Sequence, residues 1–139
     1  MSWAHGAQKG EPETVLLVED ELLVCEVMAE VLKGAGYRVA MKHDAEAALE
    51  ACRKSLDTFN LLLADVILPG MSGFDLVGEF RILCPRAAVL LMTGYPEQIA
   101  RLPLSAPSNC LAKPFSMQTL LKKVRATLDR NLLDIHPGA

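Results

Sequence analysis

Five polar side chains stand where short apolar runs stop: Val15-Leu16-Leu17-Val18 ends in Glu19-Asp20, Leu61-Leu62-Leu63-Ala64 in Asp65, Ala88-Val89-Leu90-Leu91-Met92 in Thr93, and Cys110-Leu111-Ala112 in Lys113. Asp65 is the most telling, because Val66-Ile67-Leu68 continues the apolar character beyond it. A carboxylate in such a run is costly to bury unless a partner or a metal meets it. Glu19, Asp20 and Asp65 gathered in one pocket would repel one another and raise their own pKa values unless a cation joined them. Oxygen-only donors favour a hard cation, and magnesium characteristically takes one or two protein carboxylates together with water and phosphate oxygens. One such dication and Lys113 would neutralise the three acids, a balance that lets an aspartate accept a phosphoryl group. On the residues alone, blander roles stay open. Glu19 and Asp20 suit a helix N-terminus, Thr93 suits a turn, and Lys113 suits a surface site before Pro114.

These groups meet only if the runs are parallel strands of one sheet, since open α/β sheets place their sites at the carboxyl edge of the strands. The chain alternates five times between short apolar runs and helix-period stretches, the pattern of an α/β fold with a single doubly wound five-stranded parallel sheet. Continuous apolarity in 61–64 and 89–92 fits strands buried on both faces. Strands are predicted at about 14–18, 37–43, 60–65, 87–92 and 109–112. The first helix, over 22–32, carries Leu23, Val27, Val31 and Val24, Met28, Leu32 as its apolar stripe, and Gly34 and Gly36 stop it. Asp44 is placed to cap an Ala-rich helix over 45–54. A turn-rich Pro69-Gly70-Met71-Ser72-Gly73 precedes a helix over 74–83, which ends before Pro85. Ser116 caps a final helix running to about Leu128, with Leu120, Leu121, Val124 and Leu128 inward. The fourth helix is short or irregular: 96–102 offers about two turns before Pro103 and Pro107 forbid continuation.

The 139 residues suit one domain, and 51% hydrophobic with 22% charged residues is an ordinary globular composition. Residues 1–12 read as a polar tail, 13–130 as the folded domain and 131–139 as a second tail. A net charge of −3 without a basic block argues against electrostatic nucleic-acid binding. Lys122, Lys123 and Arg125 read as a solvated helix face. Cys25, Cys52, Cys84 and Cys110 form no CxxC pair, so free thiols in a reducing cytoplasm are expected. His5, His43 and His136 lack the spacing of a zinc site. No apolar stretch approaches the ~18 residues of a membrane span, and the N-terminus has no secretory pattern.

Val18-Glu19-Asp20-Glu21, Asp65-x4-Gly70-Met71-Ser72-Gly73, Met92-Thr93-Gly94 and Lys113-Pro114-Phe115 together resemble the receiver domain of two-component response regulators, over about residues 13–130. The resemblance implies a flavodoxin-like sheet of order 2-1-3-4-5 and a phosphoacceptor module rather than an enzyme acting on other substrates. Asp65 would take a phosphoryl group from a sensor histidine kinase or a histidine phosphotransfer protein. Asp20, Asp65 and the Ile67 backbone carbonyl would hold Mg2+, with Glu19 acting through water. Thr93 and Lys113 would stabilise the phosphoryl group, and the Lys113-Pro114 bond would be cis. Glu21 itself reads as a solvated first-turn helix residue with no role in the site. The chain would be a stand-alone receiver or one excised from a larger protein, monomeric or weakly dimeric. It would act on a downstream protein without direct nucleic-acid or membrane contact.

Two features depart from the family, and two variable positions flank the site. Cys110 fills the switch position where an aromatic residue usually stands, which puts threonine–aromatic coupling in doubt. The proline-broken 103–107 implies an altered output surface over 94–112. Ile67 and Tyr95, two residues after Asp65 and Thr93, should hinder a hydrolytic water and lengthen the phosphoryl lifetime to minutes or hours. His43 and His136 are poor candidates for an internal relay. Three rivals share parts of the pattern. A phosphate-independent pseudo-receiver adaptor would show a broken acid pocket. An aspartate-nucleophile phosphatase of the haloacid dehalogenase type would carry Asp-x-Asp after the first strand. A flavodoxin would carry a Ser/Thr/Gly phosphate loop there.

Overall fold

The structure, a computed structural model, describes residues 11–95 and 110–135. Five parallel strands, β1 (Thr14–Val18), β2 (Arg38–Lys42), β3 (Leu61–Asp65), β4 (Ala88–Thr93) and β5 (Cys110–Ala112), form one sheet in the order β2-β1-β3-β4-β5. Helices α1 (Leu22–Gly34), α2 (Ala45–Lys54), α3 (Gly73–Leu83) and α4 (Met117–Ile135) flank it. The expected fourth helix over 96–102, the prolines 103 and 107, and most of the 94–112 output surface lie outside the described residues. Among the described residues, no helix is long and apolar enough to cross a membrane.

Alternation along the strands divides the core into two layers. Val15, Leu17, Leu61, Leu63, Leu90 and Met92 face α1 and α4, while Leu16, Val18, Leu62, Ala64, Val89 and Leu91 face α2 and α3. Because β1, β3 and β4 are covered on both faces, they are buried almost throughout. The Asp44 side chain accepts the Ala47 N–H at 2.7 Å, the Ser72 hydroxyl accepts the Asp75 N–H at 3.1 Å, and Ser116 accepts the Thr119 N–H at 3.0 Å. Each cap satisfies an otherwise orphaned donor and fixes where its helix begins.

Three expectations are corrected. The stripe predicted for α1 faces outward in part: Leu23 is 77% exposed and Val27 54%, while Cys25, Met28, Ala29 and Leu32 are buried. This helix is apolar on most of its circumference, so spacing alone does not choose a face, and the small Cys25 and Ala29 let it lie close on the sheet. Gly34 is helical, and the chain turns at Gly36, whose φ of +103° suits glycine. The final helix continues past Leu128 to Ile135. No glycine or proline interrupts it there, and the Asn131 side chain donates to the Arg86 carbonyl at 2.9 Å.

Arg125 is likewise no simple solvated residue. Its guanidinium makes a bidentate pair with Glu13 at 2.8 and 3.0 Å, donates to Asp129 at 3.0 Å and lies 3.2 Å from the Tyr37 hydroxyl. The fork ties α4 to the start of β1, at the sheet edge opposite the acids. The four cysteines are free, three of them buried and Cys110 half-buried. Burial pushes the Cys25 thiol up to about 11 and, with Cys84 beside it, the Cys52 thiol up to about 12, so both behave as small core residues.

Candidate functional site

The acid pocket forms where β1, β3, β4 and β5 end side by side. Register places Asp65 opposite Met92 and Thr93 opposite Ala112. The ladder continues past the strands: the Val66 N–H donates to the Met92 carbonyl at 3.0 Å, and the Lys113 N–H to the Thr93 carbonyl at 2.8 Å. Asp65 and Thr93 are buried at the ends of β3 and β4, and Lys113 emerges from β5 directly beside them. The Lys113-Pro114 peptide is cis.

The Lys113 ammonium contacts Asp65 Oδ2 directly and lies 3.7 Å from Glu19 Oε1. Asp65 Oδ1 accepts the Ile67 N–H at 3.0 Å, so each oxygen of this carboxylate has a donor. Burial alone would pull the Lys113 ammonium down. The bond to Asp65 and the charges of Asp65, Glu19 and Glu21 together outweigh burial and hold it above the usual lysine value. Glu19 is 1% exposed. Its Oε2 accepts the Glu21 N–H at 3.1 Å, while the buried Oε1 has no hydrogen-bond partner. Desolvation drives the Glu19 carboxyl above its ordinary range, and the charges of Asp65 and Asp20 add to it. The Glu21 N–H and Lys113 oppose the rise without cancelling it.

Glu19, Asp65 and Lys113 are therefore brought into one cluster, with Thr93 at the adjoining strand end. Asp20 is exposed and acts on the cluster through its charge. Among the described residues, no three His, Cys, Asp or Glu side chains converge as a ligand set. Lys113, rather than a third acid, completes the cluster. The donor chemistry nonetheless fits Mg2+: the acids offer only oxygen, and Glu19 Oε1 is a buried anionic oxygen with no hydrogen-bond donor of its own. The Thr93 hydroxyl accepts the Tyr95 N–H at 2.9 Å. Ile67 and Tyr95 are 68% and 55% exposed, beside the pocket rather than in it. Cys110 pairs with Leu91 in the sheet and packs against the α2–α3 layer.

Two contributors escaped the sequence reading. Glu21 serves the site through its backbone N–H and its charge on Lys113. Gly73 opens α3 against the end of β3, where its N–H donates to the Val66 carbonyl at 2.7 Å. The run Pro69-Gly70-Met71-Ser72-Gly73 signalled a turn, but only the packing reveals which backbone that turn touches.

A five-stranded 2-1-3-4-5 parallel sheet with a buried aspartate, a buried glutamate and a lysine at its carboxyl edge defines the receiver class of α/β proteins. Comparison with known proteins agrees. The sequence model described as the response regulator receiver domain matches residues 15–125. The chain belongs to the response regulator receiver domain family. The uncharacterised transcriptional regulatory protein YkoG of Bacillus subtilis is 32% identical over 120 residues, which cover 84% of this chain and 51% of YkoG. The response regulator protein FleR of Pseudomonas aeruginosa is 35% identical over 127 residues, 90% of this chain and 26% of FleR. This chain thus spans about half of the first relative and about a quarter of the second. Among solved structures, the receiver domain of the hybrid histidine kinase CckA matches with a TM-score of 0.73 at 33% identity, covering 83% of this chain and 98% of that one. A putative response regulator from Chloroflexus aurantiacus matches with a TM-score of 0.77 at 34% identity, over 86% of this chain and all of the other. The chain is a receiver-type phosphoacceptor module of two-component signalling, from a family that typically binds Mg2+ at its phosphorylation site.

Proposed function

We propose that Asp65 accepts a phosphoryl group from the phosphohistidine of a sensor histidine kinase or histidine phosphotransfer protein. The observation that carries this reading is the buried Asp65 carboxylate held by Lys113 beside Glu19 Oε1, a buried oxygen without a hydrogen-bond donor. A P–O bond forms to an Asp65 oxygen as the P–N bond breaks, and the donor imidazole keeps the electron pair and takes a proton. Asp20, Asp65 and the Ile67 carbonyl would hold Mg2+ in this reading, with Glu19 acting through water. When bound, Mg2+ supplies positive charge to the phosphoryl oxygens. Lys113 moves from the carboxylate to the new phosphoryl oxygens, and the Thr93 hydroxyl turns from the Tyr95 N–H to donate to one of them. Phosphorylation then changes binding to a downstream protein, with Cys110 in the place of the usual aromatic switch residue. The rival phosphatase and flavodoxin signatures are missing from the 19–22 segment, which reads Glu-Asp-Glu-Leu.

Intact mass after treatment with acetyl phosphate tests the reading. Wild type gains one phosphoryl group only with Mg2+, and Asp65→Asn gains none. No gain in wild type would favour a phosphate-independent adaptor.

The lifetime of that group follows from the pocket's rim. Ile67 and Tyr95 stand exposed beside the pocket, and in this reading their apolar surface hinders the approach of a hydrolytic water. The expected half-life in Mg2+ is minutes to hours; decay within a few seconds would show that these side chains do not shield the site.

A further inference from the structure

One histidine bonds to the acid turn from outside the cluster. His43 lies one residue beyond β2, and its Nδ1 sits 3.0 Å from the Glu19 carbonyl oxygen. A carbonyl only accepts, so Nδ1 carries the proton. On the other side of the same residue, the Glu19 N–H donates to the Lys42 carbonyl at 3.0 Å. Both backbone polar groups of Glu19 are thus gripped by consecutive residues at the end of β2. Glu19 has two further ties, Oε2 to the Glu21 N–H and Oε1 near Lys113. The peptide joining Glu19 to Asp20 is the one whose carbonyl His43 holds. Rotation of that peptide would swing Asp20 relative to Asp65.

We infer that His43 is a positioning residue: its Nδ1–H fixes the Glu19–Asp20 peptide and so presents the acids for a divalent cation. This rests on the metal reading proposed above. An outer partner of this kind typically controls metal affinity by a factor of ten or more. The grip does not require an imidazole. An asparagine amide N–H occupies nearly the position of Nδ1–H, whereas leucine fills the space without a donor.

Two measurements test it. By 15N NMR the neutral form of the His43 ring is the Nδ1–H tautomer, which is the minor form in water; a predominantly Nε2–H ring overturns the inference. Mg2+ titration by calorimetry then compares wild type, His43→Leu and His43→Asn, with thermal melts recorded alongside. His43→Leu binds about tenfold more weakly at an unchanged melting temperature, and His43→Asn recovers most of the loss. Equal Mg2+ affinity in wild type and His43→Leu overturns the positioning role while leaving the metal reading intact. No Mg2+ binding by wild type overturns both. Equal loss in Leu and Asn variants shows that the donor is not what matters, and also overturns it.

Discussion

Gly73→Ala destabilises the protein by roughly 2 kcal/mol, in the range of overpacked core sites, and slows labelling of Asp65 by at least about tenfold. A Cβ at Gly73 would overlap the Asp65 carbonyl oxygen and lie 2.8 Å from the Cα of Val66. Both are backbone atoms at the end of a strand that is buried along its whole length, so neither can retreat cheaply. The alternative is for α3 to back away, which strains the 2.7 Å bond from the Gly73 N–H to the Val66 carbonyl. Either response moves the peptide that carries the Asp65 carboxylate, and a shift of about 1 Å in a reacting group is enough to cost large factors in rate. Gly78 supplies the control on the same helix. Nothing lies within 4 Å of a Cβ placed there, and an exposed helical glycine is disfavoured by roughly 0.5–1 kcal/mol against alanine. Gly78→Ala therefore stabilises, with labelling unchanged. Urea melts of the two variants should move in opposite directions with an unaltered slope; a Gly73→Ala midpoint at or above wild type would show that the α3–β3 contact yields easily.

That contact marks the boundary of what the chain discloses on its own. The gathering of Glu19, Asp65, Thr93 and Lys113 was legible because each follows an apolar run, and parallel strands bring such ends to one edge. The helix over 45–54 was legible to the residue because Asp44 caps it, giving α2 as Ala45–Lys54. Where the pattern carries no contrast it misleads. In α1, Leu22, Leu23, Val24 and Val27 compete with Cys25, Met28, Ala29 and Leu32 for the sheet, and only the fit of small side chains to the sheet and α4 decides. The direction of Glu19 against Asp20 was open for a related reason. Adjacent residues leaving a strand point to opposite sides, and which acid enters the pocket depends on Lys113 and the Glu21 N–H meeting it there. His43 and Gly73 lie 24 and about 7 residues from the atoms they hold. Their roles follow from β2 lying beside β1 and from α3 abutting β3, which no local signal encodes.

Lys113→Met carries the larger chemical consequence. It keeps the apolar stem and removes the charge, leaving the Asp65 carboxylate and the buried Glu19 carboxylate facing each other without their shared cation. Breaking a fully buried pair costs 3–5 kcal/mol, but the Lys113 side chain is 34% exposed, so a loss of about 2 kcal/mol at neutral pH is expected. The pH dependence identifies the cause. The Lys113 pKa is raised in the folded state, so its contribution is fully present below the unfolded lysine value of about 10.4 and fades as pH rises through the higher folded value. At the acid end the contribution requires ionised partners. Burial holds the Glu19 carboxyl above its ordinary value, so the lysine's advantage falls as pH drops through that raised value. The stability gap between wild type and Lys113→Met is thus widest between these limits and narrows as pH falls through the raised Glu19 value. A gap of equal size at neutral and acid pH would assign the loss to packing of the lysine stem instead. Labelling by acetyl phosphate should fall by roughly a hundredfold in the variant, as when one donor to developing phosphoryl charge is removed. The destabilised variant still binds Mg2+ at least as well as wild type, because the acids no longer share their charge with an ammonium group. Loss of transfer with metal affinity retained would separate the two positive charges of the site: Lys113 acts on the phosphoryl group, and the acids act on the cation.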